Sequence, residues 1–207
     1  MPNKKNREGL FWASYTDLMT SLFFVMLVLY VLTYVLLEKQ KVKIQADADR
    51  YQQILNVEKA VQNLEENGDF EYEEEYKRLI LTRQIQFETN SYRIPPNDRW
   101  YLKKVGREIR DLVNQKVDSS EVRYLIIIEG MSSKDNAQVE FNYDLSYKRA
   151  YELYEFWTDY AGIEFDPKTS EIIIAGSGVG GVGRSKIERK NQRFLIQIIP
   201  KITAKGK

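Results

Sequence analysis

"SYTDLMTSLFFVMLVLYVLTYVLL", residues 14–37, carries one charged side chain, Asp17, near its start. From Leu18 to Leu37 no residue is charged. About 20 such residues, at roughly 1.5 Å rise each, span the roughly 30 Å hydrocarbon core of a bilayer as a helix. The run is longer than the apolar region of a cleaved signal peptide. Glu38-Lys39-Gln40-Lys41 follows it without a small-residue cleavage pattern, so it reads as an uncleaved membrane anchor.

An ionised aspartate in the apolar part of a bilayer costs roughly 2.5 to 3.5 kcal/mol on insertion scales, so such residues face protein or water and are functional by default. Asp17, Thr20, Ser21 and Phe24 stand at spacings of three, four and seven and share one helix side, a polar patch able to line an ion path. The bland alternative places Asp17 at headgroup level. Gly9-Leu10-Phe11-Trp12-Ala13 before it is uncharged and partly aromatic, which holds Asp17 below the interface. Lys4, Lys5 and Arg7 on one flank match Lys39, Lys41 and Lys43 on the other, so charge alone leaves the topology open.

Outward from the span, residues 38 to about 66 carry Tyr51, Ile54, Val57, Val61 and Leu64 at spacings of three and four, a helix with one apolar stripe that Asn67-Gly68 ends. The stripe suits a two-stranded contact or packing on the domain that follows; we favour self-association. Leu79, Leu81, Ile85 and Phe87 alternate as a strand, and Ile94-Pro95-Pro96-Asn97-Asp98 turns into a helix from about 99 to 113. Then come "YLIIIEG" (124–130), a helix over about 141–160, "EIIIAG" (171–176), a glycine-rich loop and "RFLIQIIP" (193–200). Strands alternating with amphipathic helices predict one α+β layer structure, a sheet with helices on one face.

Composition narrows the function. Lys plus Arg (31) nearly balance Asp plus Glu (30), which gives no electrostatic footprint for nucleic acid. Cysteine is absent, so there is no disulfide framework or thiolate metal site, and the absence of histidine removes the usual general base. We expect no enzyme, no metal and no cofactor. A wall-sugar hydrolase would need paired acids in a cleft; Glu73, Glu74 and Glu75 read as a solvated charge run.

"FWASYTDLMTSLFFVMLVLY" (11–30) resembles the single membrane helix of flagellar motor stator B subunits, in Trp12, Asp17, Leu18, Thr20, Phe23 and Phe24. Transporter energisers of the ExbD and TolR class also carry one membrane aspartate but fit less well around it. The resemblance implies two copies threaded through a ring of multi-span A-type subunits, five in the family. It also implies an inner-membrane, single-pass protein with a cytoplasmic N-terminus and a periplasmic C-terminal domain. Asp17 would then carry a transported proton or sodium ion, with Thr20 and Ser21 lining its path. An elementary charge moved through the potential yields roughly 2.3 kcal/mol per 100 mV.

From about residue 76 the chain resembles the OmpA-like peptidoglycan-binding domain. "IQFETNSYRI" (85–94) matches its first strand and turn, and "FNYDLSYKRAYEL" (141–153) is the strongest segment. By that resemblance Phe141, Asn142, Leu145, Ser146 and Arg149 are wall-binding candidates, the arginine holding a peptide-stem carboxylate. "NQRFLIQI" (191–198) adds Asn191 and Arg193. Capping and solvating a helix is the plain alternative for Asn142 and Arg149. Where the family reads Gly-His-Thr-Asp, this chain reads Gly130-Met131-Ser132-Ser133, so the aspartate that receives the stem amine is missing; Asp135 is the substitute two residues on.

The expected layout is thus a cytoplasmic N-terminus over 1–9, a membrane helix over 10–37, a dimerising or plug linker over 38–68 and an OmpA/MotB-like domain over 69–207. "GSGVGGVGR" (176–184) formally matches a dinucleotide fingerprint, but no parallel βαβ unit opens the chain and a flexible surface loop accounts for it. A closer likeness is to the B subunit of Zorya anti-phage defence, through the serine and threonine after Asp17, the "FEYEEEYKRLIL" (70–81) approach to the domain and the departure from Gly-His-Thr-Asp. A flagellar-type stator and a passive membrane-to-wall tether are the alternatives.

Overall fold

A computed structural model of the chain describes residues 4–114, 122–134 and 138–202. The chain divides into two compact units, 1–52 and 53–207.

Among its described residues unit one is helix only. α1 (Lys4–Gln62) runs unbroken through it and ends in the second unit. Within it lies a stretch long and apolar enough to cross a membrane. Every side chain from residue 12 to 52 is exposed. So many uncovered Leu, Val and Phe side chains are stable only against lipid or another protein, because in water each fully exposed one forgoes about 1.5–3 kcal/mol of burial.

Unit two is built on five strands: β1 (Phe70–Glu73), β2 (Arg78–Leu81), β3 (Val122–Met131), β4 (Ser170–Gly178) and β5 (Phe194–Ile202). Two helices join them, α2 (Arg99–Asn114) and α3 (Val139–Glu155). Sheet order is β1-β2-β5-β3-β4, with β3 and β4 parallel and the other pairs antiparallel. Pleating sends Tyr124, Ile126 and Ile128 of β3 into the core that also holds α2 residues Leu102, Val105 and Ile109, while Leu125 and Ile127 are half-buried on the opposite face. The α+β architecture expected from the pattern is the one observed.

Four local readings change. Leu79 and Leu81 are in β2, but Ile85 and Phe87 lie beyond it in extended chain with no ladder; the Arg83 N–H bonds the Tyr101 hydroxyl instead (3.3 Å), and core burial alone makes the alternation. The helix expected over 141–160 is α-helical only to Glu155. A π-helical turn at Phe156–Tyr160 then swings Trp157 into the core, its indole N–H donating to the Leu102 carbonyl at 2.8 Å. β1 was not anticipated, since its four residues are half charged. Within the supposed solvated acidic run, Glu73 instead pairs with the buried Arg78 at 2.5 Å, because β1 and β2 stand antiparallel with those two residues opposite.

The linker stripe is also corrected. Val57, Val61 and Leu64 are 3%, 4% and 7% exposed in the core of unit two, so these three are not open to a second helix; Tyr51 and Ile54 stay exposed. The second compact unit begins at residue 53, with this part of the helix included. A Lys77–Glu58 ion pair at 2.5 Å pins the same turn of helix. Val61→Ala is expected to cost the domain about 2 kcal/mol through a lost methyl pair and residual cavity, read as a lower denaturation midpoint.

Candidate functional site

In α1, Asp17, Thr20 and Ser21 do lie on consecutive turns of one continuous helix. The Thr20 hydroxyl donates back to the carbonyls of Thr16 (2.7 Å) and Asp17 (3.0 Å), and that of Ser21 to Leu18 (2.9 Å). With their protons spent on the backbone, both oxygens offer lone pairs outward beside the carboxylate. Such an arrangement accepts a hydrated proton or a small cation rather than an anion.

Of the outer-domain candidates, those on α3 gather at the C-terminal end of β3 and the adjoining end of β4. Two glycines make this possible. A methyl on Gly130 would collide with the Ser146 carbonyl, and one on Gly176 would lie 2.5 Å from the Tyr147 nitrogen, so α3 can press directly on β3 and β4 only without side chains there. Ser146 fills the seam: its hydroxyl donates to the Tyr143 carbonyl (2.8 Å) and accepts the Gly178 N–H (2.9 Å). Leu145 is buried beside it. Asn142, also buried, donates to the Gln138 carbonyl at 3.4 Å, and its own carbonyl accepts from Ser132 at 3.2 Å. Phe141 is the exposed member.

Arg149 is 2% exposed. Its guanidinium donates to the Ser91 carbonyl (3.1 Å) and the Met131 carbonyl (3.4 Å) and lies 4.3 Å over the Phe87 ring. It thus fastens the 85–91 segment to the end of β3, on which the Gly130-Met131-Ser132-Ser133 departure sits. Ser132 and Ser133 are buried, and Asp135 lies outside the described residues.

Arg193 does not join Arg149. Its Nη2 donates to the Gly183 carbonyl (2.6 Å), and burial, then the neighbouring Arg78 guanidinium, pull its pKa below the usual arginine range. Asn191 is buried and holds both the N–H (2.7 Å) and the carbonyl (3.0 Å) of Ser185. It shapes the loop instead of facing outward.

That loop is not a loose surface loop. Arg78 donates to the Val182 carbonyl (3.1 Å), while Arg184 donates to Ser132 (3.0 Å) and to the Glu188 carboxylate (2.9 Å). Glu188 also accepts the Lys134 N–H at 2.8 Å. The four-residue spacing of Arg184 and Glu188 did not advertise this latch, because no helix runs between them: Arg184 lies in the loop and Glu188 opens a 3-10 turn. β3, α3 and β4 do form a parallel βαβ unit, but the glycine loop after β4 opens no longer helix, only a short 3-10 turn at Glu188–Asn191.

The Lys134 N–H, followed by Asn191 and Arg184, holds Glu188 below the usual carboxylate range. A carboxyl depressed in the folded state stabilises above its unfolded pKa of about 4.3 and loses that contribution as pH falls through the folded value. Protection of the Lys134 and Ser185 amides against exchange, taken relative to the intrinsic rate at each pH, is therefore expected to fall as the pH drops below that unfolded value, and Glu188→Gln to show the reduced protection already at neutral pH.

No protein-family model and no curated protein matches the chain. Among solved structures it is similar to a MotB-like protein from Desulfovibrio vulgaris, at 14% identity over 74% of this chain and 96% of that one, TM-score 0.46. It is similar to the cell wall anchor of the T6SS from Pseudomonas aeruginosa at 15% identity, over 69% and 96% of the two chains, TM-score 0.46. A third is the periplasmic domain of Helicobacter pylori MotB, at 18% identity over 61% and 84%, TM-score 0.40.

Proposed function

We propose that this chain is the B subunit of an ion-driven stator in the inner membrane, anchored to peptidoglycan by its C-terminal domain. The observation that carries the reading is Asp17: one carboxylate, backed by two acceptor hydroxyls, at the head of an uncharged membrane-length helix whose side chains are uncovered within the chain. Such a helix needs protein around its carboxylate, which a ring of multi-span A-type subunits supplies. Two copies share the ring, with N-termini cytoplasmic and outer domains periplasmic. Asp17 binds a proton or a sodium ion from the outer side, changes charge and shifts its preferred contact with the ring.

Asn142 and Arg149, held at the end of β3 with the exposed Phe141 next in sequence, are the residues we assign to wall binding, and Arg193 and Asp135 stay candidates on the sequence resemblance alone. Leu145 and Ser146 serve it by seating α3 against the sheet. We assign the machine to anti-phage defence, a reading supported by the resemblance of residues 11–30 and 70–81 to Zorya B subunits. Phage plating tests that assignment: cells expressing the chain with its multi-span neighbour are expected to resist phage. Restored swimming in stator-deficient cells without phage resistance would move the protein to flagellar rotation. Wall anchoring is checked separately by sedimenting the detergent-solubilised chain with purified sacculi. A chain that stays in the supernatant contradicts the anchor.

A further inference from the structure

Among the described residues β4 is an edge strand, with β3 on one side and no strand on the other. Natural sheets blunt such edges with lysine, proline or a bulge, or cover them. From Ser170 to Gly176 this edge reads Ser-Glu-Ile-Ile-Ile-Ala-Gly with no such residue, and the register irregularity comes only after Gly176. Its one charge, Glu171, is already paired with Lys201 of the same sheet at 2.6 Å.

The backbone parity is defined. The Tyr124 N–H bonds the Thr169 carbonyl, and Tyr124 stands opposite Ser170. In a parallel ladder, residues 171, 173 and 175 therefore turn their N–H and C=O groups to β3, and Ile172 and Ile174 turn theirs outward. On the helix side, along Ile172 and Ile174, runs a cleft of about 1040 Å³ lined also by Tyr154, Thr158, Ile163 and Phe165. On the open side Ile173 is 42% and Ile199 41% exposed, beside half-buried Ile127.

We infer that β4 is the contact through which two copies of this chain pair, antiparallel about a two-fold axis at Ile173. An isologous contact needs a self-complementary patch. Centring on Ile173 pairs Ile172 with Ile174 of the second copy through their outward backbone groups, and Ile173 with Ile173 between them. The same register sets each Glu171 against a neutral Ala175, so no like charges oppose, whereas centring on residue 171 would face the two glutamates. The second copy's Ile174 side chain enters the cleft beside Ile172, and the two Ile173 side chains cover each other on the open face.

This pairing rests on the two-copy reading above, and the test separates them. The chain has no cysteine, so Ile173→Cys introduces a single thiol at a tolerant, half-exposed position. Directly opposed residues of a non-hydrogen-bonded antiparallel pair have Cα atoms roughly 4.5 Å apart, inside the range a disulfide spans. Ile173→Cys chain, oxidised in membranes with its multi-span partner present, is expected to give a reductant-sensitive dimer at least about tenfold more abundant than Tyr160→Cys, an exposed control position. Copy number is read in parallel from the mass of the detergent-extracted complex. Two copies by mass with no excess of Ile173→Cys dimer overturns the β4 contact and leaves the dimer standing. One copy by mass overturns both. Equal cross-linking at Tyr160→Cys marks collision and also overturns the contact.

Discussion

Asp17→Asn is expected to abolish the driven function while leaving the protein inserted, folded and bound to its partner. Asparagine keeps the size and most of the hydrogen-bonding capacity of the carboxylate but cannot change charge, and a site that never changes charge draws nothing from the potential. Each elementary charge otherwise contributes roughly 2.3 kcal/mol per 100 mV. Thr20 and Ser21 keep their backbone hydrogen bonds in the variant, since neither bonds the Asp17 side chain. Removing a charge from the membrane-facing helix favours insertion, so lost activity is not lost protein. The checks are phage resistance, ion flux and co-purification with the partner. Asp17→Glu, which restores the charge one methylene out of place, is expected to return part of the activity. An active Asp17→Asn protein would make the chain a passive tether.

Arg149→Ala is the second large effect, and it acts on fold and binding together. The substitution strands the buried Met131 carbonyl and the half-buried Ser91 carbonyl and empties the space over Phe87. At about 1–3 kcal/mol for each buried polar group left unsatisfied, roughly 3 kcal/mol of domain stability goes with it. Sacculus binding is expected to fall to background. Arg149→Lys separates the two roles: its ammonium still reaches a carbonyl and recovers part of the stability, but it lacks the planar fork for bidentate grip on a carboxylate. Wall binding that stays low in Arg149→Lys while the denaturation midpoint recovers assigns the guanidinium to recognition. Recovery of both together leaves Arg149 as a fastening of the fold.

The features legible in the sequence were those written as period. An uncharged run as long as residues 18–37, and α2 with Leu102, Val105, Ile109 and Leu112 on one face, have one reading each. β3, β4 and β5 were visible as apolar runs because they carry the buried sheet. What stayed hidden depends on contacts distant in sequence. The stripe at Val57, Val61 and Leu64 suits a partner helix or a domain equally well, and only the folded domain shows those residues buried in its own core. Ile85 and Phe87 alternate like a strand because both reach the core, although no neighbouring strand pairs with them. The Arg184–Glu188 and Arg78–Glu73 contacts have no signature because the fold of the loop before the 3-10 turn and the register of β1 on β2 set them. At the outer site, the family pattern pointed to Arg149 and Asn142, which the fold brings near Ser132. It also pointed to Ser146 and Asn191, whose side chains are engaged in seating α3 and shaping the 183–191 loop.

The most direct measurement is the mass and composition of the complex extracted from native membranes in mild detergent. A rotary stator predicts two copies of this chain with about five of a multi-span partner, an assembly whose symmetry mismatch lets Asp17 meet each subunit in turn. Recovery of the chain alone, or as a bare dimer after complete extraction, would contradict an ion path at Asp17 and leave a membrane-to-wall tether.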